Sequence, residues 1–244
     1  MSTAQAAPAP DQPGSSGFFA NLIDLYFAPS DAFARLLQKP GFLVPLALHV
    51  ALSLLFCGVW LQKVDMAGFM AARMAESGQT ASIPADRMEQ IEKFTRITTW
   101  TAGAVAPPLL VFALGAVFLF VYRFFFGSDV TYRQSLAIVA STMAAFALLL
   151  TPLMLAVLFM KGDWTITPQE ALQANLTLLF EKQTTSKPLY ALAGSLDLFS
   201  FWQVFVLACG FGVASKRSWS AALPGIVVPW VLLVLVKVGW AFTR

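Results

Sequence analysis

A chain of 244 residues that is 58% hydrophobic and only 12% charged lacks the polar side chains to cover a soluble core, since soluble domains carry roughly 45–50% apolar and about 25% charged residues. The net charge of +3, with no basic cluster interleaved with aromatics, excludes a nucleic-acid module and suits a protein that leans on anionic lipid. One histidine, and two cysteines that both fall in apolar runs (Cys57 and Cys209), exclude a two-histidine metal helix and a cysteine zinc site, so the cysteines read as small packing residues.

Residues 1–17 are rich in Pro, Gly and small side chains and carry no basic residue. They read as a disordered tail, since a signal peptide needs a positive start and an apolar core. From Gly17 to Pro40 the chain is aromatic but mixed. Phe18, Phe19, Leu22, Leu25, Tyr26 and Phe27 form one face, and Ser30 or Asp31 is expected to cap a short helix ending at Pro40. Two readings stay open for this segment: it lies in the membrane interface, or it packs as an amphipathic lead-in on the protein itself.

Five apolar runs follow, at about 41–61, 98–122, 134–160, 188–214 and 218–242, each near the roughly 20 residues that a crossing needs. Pro45 sits near the first turn of its run, where it is tolerated. Pro107-Pro108, Pro152, Pro224 and Pro229 interrupt later runs, and a proline inside a helix predicts a kink. Between the first two runs, Pro84 opens a helix in which Glu89 and Lys93, and Glu92 and Arg96, stand four apart as supportive pairs. Its Met88, Ile91 and Phe94 stripe is expected to fold back on the bilayer or the bundle. In the second long loop, Thr167-Pro168-Gln169-Glu170 reads as a capping box, followed by Leu172, Asn175, Leu176 and Leu179 at helical spacing. The expected fold is therefore all-α: a disordered tail over 1–17 and a five-span membrane domain with short amphipathic helices over 18–242.

The short links carry Arg123 and Arg133 in one case and Lys216 and Arg217 in the other. Positive-inside counting over short loops puts them and the amino terminus in the cytoplasm, and the carboxyl terminus outside. The stretch SLDLFSFW opens the fourth run with Asp197, and the fifth carries Lys237. In a hairpin of the last two runs these residues lie at equal depth. An isolated charge at a helix centre costs about 2.5–3.5 kcal/mol, so Asp197 and Lys237 are expected to pair, either as a structural lock or as an ion-responsive site. His49, Ser141, Thr142 and Gln203 are candidates for a small polar network at middle depth, or each satisfies a local carbonyl or a neighbouring helix. Ala208, Gly210, Gly212 and Ala214 mark a face for close helix approach. No phosphate loop, nucleophile motif or metal motif is present, so no catalytic residue and no cofactor is assigned.

The wording LIDLYFAPSDAFARLL before the first run, TPQEALQANLTLL before the fourth, SLDLFSFW and LPGIVVPWVLLVLVKVGW together resemble the bacterial branch of the Yip (Ypt/Rab-interacting protein) family of five-span membrane proteins. The resemblance covers about residues 20–242. It implies five helices with a cytosolic amino terminus in the bacterial inner membrane, no catalytic residues, and partners drawn from the bilayer, from other membrane proteins or from further copies of the chain. Eukaryotic members are associated with prenylated small GTPases, vesicle transport and membrane shaping, and present a longer cytosolic amino-terminal region. The functional expectation is a non-enzymatic protein that binds or organises membrane partners. The alternative is a small permease or channel built on Asp197 and Lys237.

Overall fold

Hydrocarbon offers backbone N–H and C=O groups no partner, so an apolar run that crosses it must satisfy them internally as a helix. The computed structural model describes residues 17–76, 85–165, 172, 174–181 and 184–243. Among these the elements are α1 (Phe18–Phe27), α2 (Pro29–Leu36), α3 (Leu43–Lys63), α4 (Met66–Glu76), α5 (Ala85–Phe124) and α6 (Tyr132–Lys161). A 3-10 turn at Leu176–Leu179, α7 (Lys187–Ala193), α8 (Leu198–Ala214), α9 (Trp219–Ala222) and α10 (Pro224–Phe242) follow. Among the described residues there is no strand, only one isolated bridge between Asn175 and Asp197.

Four helical stretches are long and apolar enough to cross a membrane: Leu43–Lys63, Arg87–Phe124, Tyr132–Lys161 and Trp219–Phe242. The fourth expected run is not one helix. It divides into α7 and the 17-residue α8, with Gly194 to Asp197 between them. The expectations for the tail and for the capping box at Thr167–Glu170 lie outside the described residues. Where the loop is described again, Leu176–Leu179 is a 3-10 turn rather than the end of an α-helix, because the Asn175 side chain accepts from Thr177 N at 3.0 Å and sets a new start there.

Helix α5 also differs from expectation. Its first turns do not fold back but run straight into the span as one 40-residue helix, since no glycine or proline lies between Ala85 and Trp100. The expected pairs form, with Lys93 Nζ 2.7 Å from Glu89 and Arg96 Nη2 2.8 Å from Glu92. Arg96 also donates to Leu61 O at 3.3 Å, fastening the extension to the end of α3. Helix α6 starts in a capping box, Thr131 with Gln134, and closes on Gly162 in the left-handed region, φ 65°. Just beyond, the Thr165 hydroxyl and amide hold the Asp163 carboxyl below the usual carboxylate range.

The core is defined by which helices carry small residues. Every residue of α6 from Ser135 to Ala145 is buried, as is α8 from Val206 to Gly212. Alanine, serine, cysteine and glycine there let backbones approach closely, the usual route to association where lipid is as apolar as leucine. Helices α3 and α5 pack on α6 and on each other, and α10 closes the far side against α7 and α8. Tyr122, fully buried, donates to Ala222 O at 2.6 Å and stacks on Phe211 at 4.6 Å, joining the end of α5 to α8 and α9. The outer faces of α3, α5 and α10 remain apolar and uncovered, with Leu109, Leu232 and Val236 among their exposed side chains, which is the surface that a bilayer solvates.

Candidate functional site

The α1–α2 hairpin owes its turn to Pro29. A residue before proline is held out of the helical region, so Ala28 adopts φ −140°, ψ 61° and α1 stops at Phe27. Pro29 itself takes the first position of α2, where its missing N–H has no helical partner to lose. The cap expected at Ser30 or Asp31 is therefore absent, because the helix has already begun. The return leg brings Arg35 alongside α1. Its guanidinium pairs with Asp24 and donates to Asn21 Oδ1 at 2.8 Å, with both charged side chains half-buried.

This hairpin is seated against the bundle. Phe33 is 0% exposed, and its ring lies over Gly210 of α8, next to Ile138 of α6. Tyr26 donates its hydroxyl to Ala145 O and stacks on Trp202 at 5.2 Å. The contacts on α6 thus run from Ile138 to Ala145, roughly 9–20 Å from its start at 1.5 Å per residue. The hairpin thus packs on the protein itself, the second of the two readings left open by the sequence. The outer face stays aromatic and bare, with Phe19 63% and Phe27 83% exposed.

The break between α7 and α8 is the second polar feature. Asp197 is the N-cap of α8, its Oδ1 accepting from Ser200 N at 2.8 Å and its Oδ2 from the Ser200 hydroxyl. Lys237 donates instead to Ser195 Oγ at 3.0 Å, and Ser195 in turn donates to Ala191 O at 2.8 Å. The expected Asp197–Lys237 ion pair is therefore not a direct contact. The carboxylate is consumed in capping, a role that becomes available only because the run is broken just before it. Leu198 N donates to Ala174 O at 3.2 Å, so the loop before α7 straps the break.

The four residues considered as a network do not bond one another. Thr142 donates to Ile138 O at 2.9 Å, and Gln203 Nε2 approaches Met143 Sδ at 3.4 Å. Ser141 Oγ is buried without a partner beside a cavity of about 30 Å³ under the hairpin. His49 Nδ1 is buried and also unpartnered, on the opposite flank of the bundle between α3 and α5. Helical spacing alone cannot say which flank a residue faces, and these four are divided between two. Among the described residues no group of three His, Cys, Asp or Glu side chains is placed to hold a metal ion.

Sequence reasoning missed the Asp24–Arg35 pair and the Phe33–Gly210 seat. The available signal was Pro29, which forces a turn between an acid five residues before it and a base six residues after it.

The two short links meet at one end of the molecule, where Arg217 donates to Phe126 O at 3.1 Å and Arg133 donates to Pro40 O at 2.7 Å. A family model described as the Yip1 domain matches residues 23–241. No curated protein and no solved structure shows a significant match to the chain.

Proposed function

Because the chain belongs to the Yip1-domain family of membrane proteins, we propose that it is a non-enzymatic organiser of the bilayer that shapes the leaflet in which its amino-terminal hairpin sits. The observation that carries this reading is the position of α1–α2 against the first half of α6, from Ile138 to Ala145, and against α8. The hairpin adds two helices, with bare Phe19 and Phe27, to one half of the molecule's thickness. An inclusion wider in one leaflet than in the other favours curvature toward the wider side, and shallow aromatic insertions are curvature-sensitive for the same reason.

Arg123, Arg133, Lys216 and Arg217 stand at the hairpin's end of the bundle, which supports a cytoplasmic location for it by the positive-inside rule. On this reading α7 and α8 together make the fifth crossing. Helix α8 alone is about 25 Å long, short of the ~30 Å hydrocarbon core, and α7 extends the path alongside the end of α10. The permease alternative would draw on the break at Gly194–Asp197, but the polar side chains there are engaged in local capping and in the Ser195–Lys237 bond.

The test is partition of the labelled full-length chain between a giant vesicle and a narrow tube drawn from it. Enrichment on the tube is expected, and it should be lost in Phe33→Ala, which unseats the hairpin. Equal density on tube and vesicle for the native chain would reject the proposal.

A further inference from the structure

Where α5 and α8 end, the links that follow them enclose a polar cleft of about 140 Å³, lined by Gly127, Ser128, Asp129, Ser215, Lys216 and Arg217. Sites for drug-sized ligands run to ~300–1,000 Å³, so this cleft admits one compact group. Ser128 and Ser215 donate their hydroxyl protons to Tyr122 O at 3.0 Å and Phe211 O at 2.6 Å. That leaves Lys216 and Arg217 as the free side-chain donors. Arg217 gives one nitrogen to Phe126 O at 3.1 Å and lies over the Phe126 ring at 5.6 Å. The guanidinium is thereby held in place with most of its five donors still to offer. The Lys216 ammonium makes no hydrogen bond or ion pair among the described residues, and none joins Asp129 to either base.

The backbone points the same way. Gly127 on one wall and Lys216 on the other are both left-handed, at φ 59° and 56°. One wall meets that requirement with glycine, and open space lies where its Cβ would stand. The other uses a lysine, the only non-glycine residue with positive φ among the described residues. Such conformations persist where something over-determines them, and they gather at ligand clamps. No protein partner of its ammonium repays the strain at Lys216, so the compensation lies outside the fold. Exposed Phe124, Phe125 and Trp219 flank the cleft in the chain, and tryptophan gathers at headgroup depth. Here the apolar helices stop and the basic links begin, so the cleft opens into the headgroup layer.

We infer that the cleft binds the phosphate of an anionic phospholipid, with the Lys216 ammonium and the Arg217 guanidinium as donors. The planar fork of arginine matches phosphate oxygens, and lysine adds a compact positive charge. Basic pockets between helices at this side of a membrane hold such headgroups. Two bases against Asp129 leave the lining with one net positive charge, the complement of phosphatidylglycerol. A zwitterionic headgroup would bring an ammonium that the same bases repel. Lipid is the occupant rather than free phosphate because the cleft stands where phospholipid phosphates are already concentrated. The site lies outside the hairpin and is independent of membrane shaping.

The test is native mass spectrometry of the full-length chain, delipidated in neutral detergent and titrated with short-chain phosphatidylglycerol. Retention of a single lipid per chain is expected. Lys216→Gly and Arg217→Gln should each weaken it about 10-fold, the worth of one charge-assisted hydrogen bond. Lys216→Gly should do so without lowering the melting midpoint of the lipid-free protein, which separates lost binding from lost folding. Arg123→Gln removes an equal charge from the same end but not from the cleft, and should leave retention nearly unchanged. Asp129→Asn should tighten it. A loss in Arg123→Gln as large as in Lys216→Gly would overturn the inference in favour of diffuse surface attraction. Equal retention of phosphatidylethanolamine would overturn the charge match, and displacement of the lipid by excess inorganic phosphate would make this a free-anion site instead.

Discussion

Phe33 occupies the space that Gly210 leaves by having no side chain: a Cβ at Gly210 would stand 3.0 Å from the Phe33 ring and 2.6 Å from Ile138 Cγ2. The seat of the hairpin is therefore a single missing methyl group on α8. Overpacking of this kind typically costs about 1–3 kcal/mol. Gly210→Ala is expected to lower thermal stability in detergent by that amount and to raise maleimide labelling of Cys209, which is 2% exposed beneath the hairpin. Combining it with Phe33→Leu should cost less than the sum of the two single changes, as contacting residues do. Full additivity together with unchanged labelling would mean that Phe33 is not seated on Gly210.

The ion pair that holds the hairpin closed, Asp24 with Arg35, is half-exposed, with side-chain exposures of 41% and 29%. Solvent screening limits its worth to about 1 kcal/mol or less. Arg35→Ala should cost somewhat more than Asp24→Asn, because it also removes the hydrogen bond to Asn21 Oδ1. A double-mutant cycle on unfolding in detergent reads the coupling, which should fall as salt is raised.

At the broken helix, Asp197 and Lys237 act on different partners, so their effects should be nearly independent. Asp197→Ala removes an N-cap and should cost about 1 kcal/mol. Lys237→Met removes the donor to Ser195, and the double mutant should match the sum within about 0.5 kcal/mol. Ser195→Ala with Lys237→Met should be clearly non-additive. A large coupling between Asp197 and Lys237 instead would restore the direct ion pair.

Lys216 closes α8 in the left-handed region at φ 56°. Arg217 N bonds Gly212 O at 2.8 Å and Lys216 N bonds Val213 O at 3.2 Å, the paired bonds of a Schellman motif in which glycine normally holds Lys216's position. A left-handed non-glycine residue costs roughly 1–2 kcal/mol, partly offset by glycine's larger loss of chain entropy. Lys216→Gly is expected to raise the melting midpoint by the equivalent of about 1 kcal/mol, measured by thermal unfolding in detergent. A fall would mean that the lysine side chain stabilises this end.

Much of this architecture is dictated by the sequence alone. Uncharged runs of about twenty residues must become helices in lipid, and small residues on the fourth run must lie at a close approach. Four-residue charge pairs such as Glu89 with Lys93 close within one helix and need no tertiary contact. The family is legible for the same reason, as the order of these segments along the chain. Tertiary structure alone decided which flank each polar residue faces, and hence that His49 and Ser141 are strangers. It decided that the fourth run breaks at Gly194 so that Asp197 becomes a cap. It also decided that the lead-in packs inside one half of the bundle. Each of these turns on one long-range fit, a ring over Gly210 or an ammonium on Ser195, whose two halves are separated in the chain by tens to more than a hundred residues and leave no periodicity to read.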